Sequence, residues 1–394
     1  MIEKMIYLDF SATSPLLPEV KAEMNRVMEL EIGNPSSLHS SGQLAKEEMN
    51  RARVQIAKLI EARPLEMVFT SGGTESNNTV VHIFGDCPIF VSAIEHPSIL
   101  RPAETYSKSC TKIPVNKQGI IDLSFLKENL IKTIEDNPKQ KILVSIMLAN
   151  NEVGTIEPIK EVSNLITELR AKYHAKVYLH TDATQAVGKI PVSVKDLGVD
   201  YLTFTSHKLG GPIGIAALFV KSGSPFKPLL LGGAQENKRR PGTSNALLAS
   251  GFKVASSLAL STPQKYQKVE ELRNYLAERI KASIPDSMII TPIVCLPNIL
   301  NVSFPAAEGE STQLYLDLEG IEVSTGSACA SGDLEPSHVL MALFNDAEIA
   351  HGSVRFSLGL NTTKSEIDEL LKKLPPIIKR VQDLSTLKKE PTDD

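Results

Sequence analysis

The chain has 394 residues, 42 basic and 46 acidic, for a net charge of −4, and 42% of it is hydrophobic. That length predicts two lobes rather than one domain, and the charge balance leaves no electrostatic footprint for nucleic acid. No apolar run is long enough to span a bilayer, and the N-terminus Met-Ile-Glu-Lys-Met-Ile-Tyr lacks the apolar core of a signal peptide. Cys87, Cys110, Cys295 and Cys329 are scattered with no CxxC pair. They predict neither a disulfide framework nor a metal site, and they point to a reducing, cytoplasmic location.

In chain order, residues 6–9 read as a short strand and 18–30 as a helix. Residues 33–37 form a loop by their turn residues, and 42–59 read as a long amphipathic helix. Strand 67–70 runs into Ser71-Gly-Gly-Thr-Glu-Ser-Asn-Asn78 and a helix. A strand, a glycine turn and a helix start can present backbone N–H groups to an anion; equally, Thr74 or Ser71 can simply cap the helix. Strands follow at 89–92, 142–148, 176–180, 201–205 and 215–220, with helices at 123–134 and 159–173 between several of them. Such alternation predicts a mainly parallel, doubly wound α/β sheet. From about residue 263 the pattern becomes α+β: helix 265–283, strand 299–304, helix 311–318, strand 321–324, a small-residue loop 325–332, a helix from Pro336, strand 354–358 and helix 365–384. The predicted division is a large domain at 15–262 and a smaller α+β domain formed by 1–14 and 263–394, which carries the loop with Cys329.

Short polar motifs close several strands: Glu95-His96-Pro97, Ala149-Asn-Asn-Glu-Val-Gly154, Thr181-Asp-Ala-Thr-Gln185 and Thr205-Ser-His-Lys208. Open α/β sheets bind ligands at that edge, so the motifs are expected to converge on one crevice. Lys208, at a strand end before Gly210-Gly211-Pro212, is either a solvated loop lysine or the Schiff-base lysine of a pyridoxal 5'-phosphate (PLP) site. In the second reading Asp182 pairs with the pyridinium nitrogen and keeps the ring an electron sink. Gln185 donates to the phenolic oxygen, and His96 stacks on the ring and moves protons. Thr74, Thr205, Ser206, His207 and the amides after Gly73 hold the phosphate. Each of these has an ordinary alternative: Asp182 as a turn former, His96 as a loop histidine. Arg355, in Ser353-Val-Arg-Phe-Ser357, is either an edge-strand charge or a two-pronged clamp for a carboxylate. Cys329 stands among small residues in Ser324-Thr-Gly-Ser-Ala-Cys-Ala-Ser-Gly332, unlike a packed structural cysteine, and reads as a reactive thiol. The other three cysteines read as packing.

With these stretches in hand, the chain resembles the cysteine desulfurases of the class V aminotransferase family. The likeness covers 71–78, 94–97, 149–155, 181–188, 206–208, 240–243, 324–332 and 353–359, nearly the whole chain. The Ser-Gly-Ser-Ala-Cys loop is similar to the housekeeping and nitrogen-fixation branch. The resemblance implies the fold-type I architecture of PLP-dependent transferases and conversion of L-cysteine to L-alanine, with the sulfur left on Cys329 as a persulfide and passed to a sulfur-acceptor protein such as an iron–sulfur scaffold. It implies Lys208, Cys329 and His96 as catalytic residues, Asn151 in both cofactor and substrate contacts, and Arg355 on the substrate carboxylate. It also implies a homodimer in which Thr243 reaches the phosphate of the neighbouring subunit's cofactor. Selenocysteine lyase, with the same fold and cofactor, is the alternative. A PLP aminotransferase or decarboxylase needs no Cys329, and a non-catalytic relay scaffold carries no Schiff-base absorbance. Three stretches depart from the family pattern: Asp9-Phe-Ser-Ala-Thr13, Ile213 and Asn237-Lys-Arg239. They are expected to bear on partner choice more than on activity.

Overall fold

In a computed structural model, residues 5–325 and 336–384 are described; Cys329 lies outside them. The strands in chain order are β1 (Ile6–Tyr7), β2 (Met67–Thr70), β3 (Pro88–Ser92), β4 (Ser109–Ile113), β5 (Lys141–Ser145) and β6 (Lys176–Asp182). They continue with β7 (Tyr201–Thr205), β8 (Ala216–Val220), β9 (Met288–Ile289), β10 (Ile299–Ser303), β11 (Ile321–Glu322) and β12 (Ser353–Ser357). A seven-stranded sheet has the order β2-β8-β7-β6-β5-β3-β4. In it β4, β3, β5, β6 and β7 pair in parallel, and β8 alone runs against its neighbours β7 and β2. Helices on both faces bury the sheet, which is why β3, β7 and β8 are buried at every position and read as near-continuous apolar runs. Because β8 is the reversed strand, the C-terminal ends of β2, β3, β5, β6 and β7 share one edge, and the chemical motifs lie there.

A second apolar core joins Ile6 and Leu8 to Leu276, Phe304, Phe356 and Leu370. Here β12-β10-β9 form an antiparallel sheet, and β1 pairs in parallel with β11. The first residues of the chain are thereby held against residues some three hundred positions later. From β1 the chain passes Asp9, which bridges to Ser357, and Ser11, whose N–H donates to Ser357 Oγ at 2.9 Å.

Several elements escape the sequence pattern. Helix Ala246–Ala259 buries mostly small residues, and Gly251 is needed where a Cβ would come within 2.9 Å of Met24 Sδ and 3.0 Å of Pro212 Cδ. Such a helix packs by close approach and shows no bulky apolar stripe. Strand β4 is a half-exposed edge with the polar sequence Ser-Cys-Thr-Lys-Ile. Helix Pro97–Tyr106 carries Pro102 within it. Strand β5 ends at Ser145 and not at 148; beyond it the Ile146 and Leu148 N–H groups still reach the His180 and Asp182 carbonyls, while the Met147 N–H donates to Glu95 Oε1 at 2.5 Å.

Candidate active site

Strand β7 delivers Thr205, and a 3-10 turn at His207–Leu209 swings the next side chains off the sheet. The turn closes on Gly210, at φ 75°, where a Cβ would lie 2.6 Å from Leu17 Cγ. Lys208 is thereby turned into the crevice, where its Nζ donates to the carbonyls of Ser11 and Ala12. Burial, assisted by Arg355 and opposed by Asp9 and Asp182, pushes the amine down to about 8. An amine so placed is partly neutral near physiological pH, as a nucleophile or base needs.

Asp182 closes β6 and is buried. Its Oδ2 accepts from Asn77 Nδ2 at 2.7 Å and its Oδ1 from the Thr184 N–H at 2.9 Å. Asn77 Nδ2 also donates to Ser98 Oγ at 2.9 Å, and Ser98 Oγ lies 2.8 Å from His96 Nδ1. His96 caps the Pro97–Tyr106 helix, its Nδ1 accepting the Ser98 N–H at 3.1 Å. Burial holds the imidazole below its usual range. A neutral ring that accepts at Nδ1 carries its proton on Nε2.

The start of helix Gly73–Ile83 has Gly72 at its N-cap and no side-chain cap, so neither Thr74 nor Ser71 plays that role. Glu75 turns back instead to take the Ser71 N–H at 2.7 Å and pairs with Arg240 at 3.0 Å. Opposite, Thr205 Oγ1 and Thr184 Oγ1 are buried without partners, and a Cβ on Gly73 would stand 3.0 Å from Thr205 Cγ2. His207 Nδ1 lies 3.1 Å from Thr13 Oγ1, and burial beside Lys208 and Lys189 pushes the ring down to about 4.

Arg355 is no edge-strand charge: β12 pairs with β10 on one side and with Ser324 on the other, and the side chain is 5% exposed. It pairs with Asp9 at 2.7 Å and donates to the Asn151 carbonyl at 2.9 Å, while its Nε is buried without a partner among the described residues.

These groups enclose a cleft of about 360 Å³, lined by Gly73, Thr74, His96, Asn151, Asp182, Gln185, Thr205, His207, Lys208 and Arg355 among others. Ser324 and Thr325, which precede Cys329 in the chain, line it too. Ser206 is buried beneath, where a Cβ on Gly211 would strike its Oγ, and it is not on the wall. Thr243 is exposed, away from this cleft. The expectation that the Asp9–Thr13 departure bears on partner choice is corrected: Ser11 and Ala12 line the cleft, and their carbonyls hold Lys208. Asn77, Ser98 and Asp9 were also missed. Asn77 follows Gly73-Thr74 by one helical turn, which was the available signal.

The aminotransferase class-V family matches residues 6–370. The chain belongs to that family. Among class-V members it is 42% identical to the cysteine desulfurase IscS of Dictyoglomus turgidum, over 99% of this chain and 98% of the relative. It is 39% identical to the cysteine desulfurase IscS 1 of Archaeoglobus fulgidus, over 97% and 99%. The crystal structure of a NifS-like protein from Rickettsia africae superposes with a TM-score of 0.86 at 36% identity, over 95% of this chain and 99% of that one. The fold is that of the fold-type I PLP enzymes, and the family cofactor is PLP.

The cleft fits that cofactor. The partnerless hydroxyls of Thr205 and Thr184 beside an uncapped helix start make a phosphate cradle without a Cβ in the way. A buried carboxylate and a depressed lysine amine stand at the same crevice, so the polar groups that PLP requires are already in place.

Proposed function

We propose that the chain is a PLP-dependent cysteine desulfurase that converts L-cysteine to L-alanine and leaves the sulfur on Cys329. The observation that carries this is Lys208, held in one cleft with Asp182, His96 and Arg355, its amine pushed down to about 8. Bound PLP supplies an electron sink for negative charge at the substrate Cα. Lys208 would anchor the cofactor and, as a free amine, would take the substrate Cα proton. The Ser11 and Ala12 carbonyls receive the N–H groups of the freed amine. Asp182 holds a proton at the ring nitrogen, Gln185 offers an N–H to the phenolic oxygen, and His96 holds a proton at Nε2. Gly73, Thr74, Thr205 and His207 serve the phosphate, with Thr243 serving that of a second copy; Ser206, buried beneath the wall, is left out of that set. The unpaired Nε of Arg355, with Asn151, serves the substrate carboxylate.

The Cys329 thiolate attacks the substrate sulfur. The new S–S bond forms as the Cβ–S bond breaks, the electron pair stays with the carbon skeleton, and one proton at Cβ together with the return of the proton to Cα completes alanine. An acceptor protein's thiol then takes the outer sulfur. The family resemblance supports a homodimer, and exposed large apolar side chains such as Leu38, Ile213 and Leu231 are available for it to cover. The division into 15–262 and 1–14 with 263–394 is supported by the core that joins Ile6 and Leu8 to residues from 269 onward, although Leu296 and Ile299 pack into the large core and Ile94 and Val153 pack with Val339 and Leu340 across the boundary. Among the described residues no helix is long and apolar enough to cross a membrane, and the cysteine usage supports a cytoplasmic setting. Selenocysteine lyase is not favoured, since the relatives named above are cysteine desulfurases.

The test is incubation with L-cysteine, without reductant and then with it, following alanine, sulfide and protein mass. One added sulfur on Cys329, and alanine matching sulfide under reductant, are expected. Cys329→Ala is expected to keep the cofactor's colour and its change on adding cysteine, yet to form no persulfide. Full turnover by that variant would refute the assignment.

A further inference from the structure

Lys189 is 3% exposed, and among the described residues it has no carboxylate partner. Its Nζ donates to the Gln185 carbonyl at 2.9 Å and to Gln185 Oε1 at 3.2 Å. Burial, together with Lys208 nearby, pushes the amine down to about 7. Burying an amine without an acid is costly, and nothing in the reaction above uses it.

The backbone around it is locked. Gly188 has φ 77°, a Cβ there would lie 2.6 Å from Leu209 Cδ2, and the Gly188 carbonyl accepts from Thr262 Oγ1. The Lys189 side chain is therefore set back along its own turn onto Gln185. The other end of the Gln185 amide is also held, with Nε2 donating to the Ser11 carbonyl at 2.9 Å. A side-chain amide has two faces of opposite character, one accepting and one donating with two hydrogens. With an amine on Oε1 and a carbonyl on Nε2, the amide has one orientation, and its second N–H remains for the cleft that Gln185 lines. Flipping the amide would set oxygen against the Ser11 carbonyl and NH2 against the Lys189 amine.

We propose that Lys189 is a positioning residue: it locks the Gln185 amide so that an N–H donor, and not an oxygen, faces the cofactor's phenolic oxygen. The inference rests on the reading that PLP occupies the cleft against Gln185. It explains the buried place of this lysine: the protonated amine is donor-only and fixes Oε1 towards it, and in the neutral state the amine still donates to Oε1 while the Ser11 carbonyl keeps Nε2 in place.

The test uses the full-length protein and Lys189→Met, which keeps the bulk and removes the donor, with Lys189→Arg as the conservative variant. Three readouts are followed: the dissociation constant for PLP, the pH midpoint of the visible absorbance band, and thermal stability. Lys189→Met is expected to weaken PLP binding by roughly five- to ten-fold, the size of one hydrogen bond. It is also expected to raise the midpoint of the band, because an oxygen anion loses its donor, and Lys189→Arg should restore both. Melting temperature without cofactor should hold or rise, since a buried unpaired amine has gone; a purely structural lysine would show a loss instead. In the Gln185→Leu background, Lys189→Met should change neither PLP affinity nor midpoint further. Unchanged affinity and midpoint in Lys189→Met, or full additivity with Gln185→Leu, would overturn the inference. Wild-type protein that takes up no PLP and shows no visible band would instead overturn the reading on which it rests.

Discussion

Glu157→Gln should stabilise this protein increasingly as the pH rises. Glu157 is buried, with Oε2 accepting the Ile121 N–H at 3.1 Å and Oε1 without a partner. Burial pushes its carboxyl from 4.5 up to about 8, against the smaller opposing pull of the Ile121 amide and the Ser92 hydroxyl. A carboxyl raised on folding keeps its proton in the native state and loses it in the unfolded chain. Its contribution therefore falls as pH climbs from 4.5 to 8 and is level outside that window. At about 1.4 kcal/mol per pKa unit, the wild type forgoes about 2 kcal/mol at pH 6 and about 4 kcal/mol at pH 8. Glutamine keeps an oxygen for Ile121 and cannot ionise. The assay is the melting-temperature difference between variant and wild type at pH 5, 6, 7 and 8, with cofactor loading matched. Glu95, buried nearby and also raised well above its usual range, mainly by burial and in smaller part by Glu157, stays in both proteins, so the difference reads Glu157 together with the relief its removal gives Glu95. The gap should be small at pH 5 and widen steadily to pH 8. A gap that is constant with pH, or that narrows, would refute the reasoning.

Three other outcomes are expected. Lys208→Ala should abolish the visible band of the PLP-loaded protein while leaving the fold intact by circular dichroism; an unchanged band would move the anchoring amine to another lysine. Asn77→Ala removes the donor that joins Asp182 to Ser98 and, through it, His96, and should weaken PLP binding about ten-fold or more, as loss of a charge-assisted hydrogen bond does; equal affinity by fluorescence titration would show the network idle. Lys238 stands at φ 64°, the last of three consecutive left-handed residues from Glu236. Lys238→Gly should therefore gain about 1 kcal/mol, read as a raised melting temperature, and an unchanged or lowered one would rule out strain there.

Much of the frame was written locally. Alternating strands and helices between residues 67 and 220 were enough to predict a mainly parallel sheet. Parallel strands bring their C-terminal ends to one edge, which is why His96, Asp182 and Lys208 were legible as one constellation from strand-end motifs alone. Elements that pack through small residues, such as helix Ala246–Ala259, left no periodic trace, because close approach at Gly251 replaces a stripe of large apolar side chains. What only the tertiary structure decided is the company these residues keep. The pairing of β1 with β11 carries Asp9, Ser11 and Ala12 to Arg355 and Lys208. The sequence marks that turn merely as unusual. The Asn77–Ser98 link and the raised carboxyl of Glu157 arise the same way, from burial and from partners supplied by other segments. The Lys189 amine finds its partner one turn back at Gln185, and only its burial, which is not a property of the residue or its neighbours in the chain, comes from the tertiary structure.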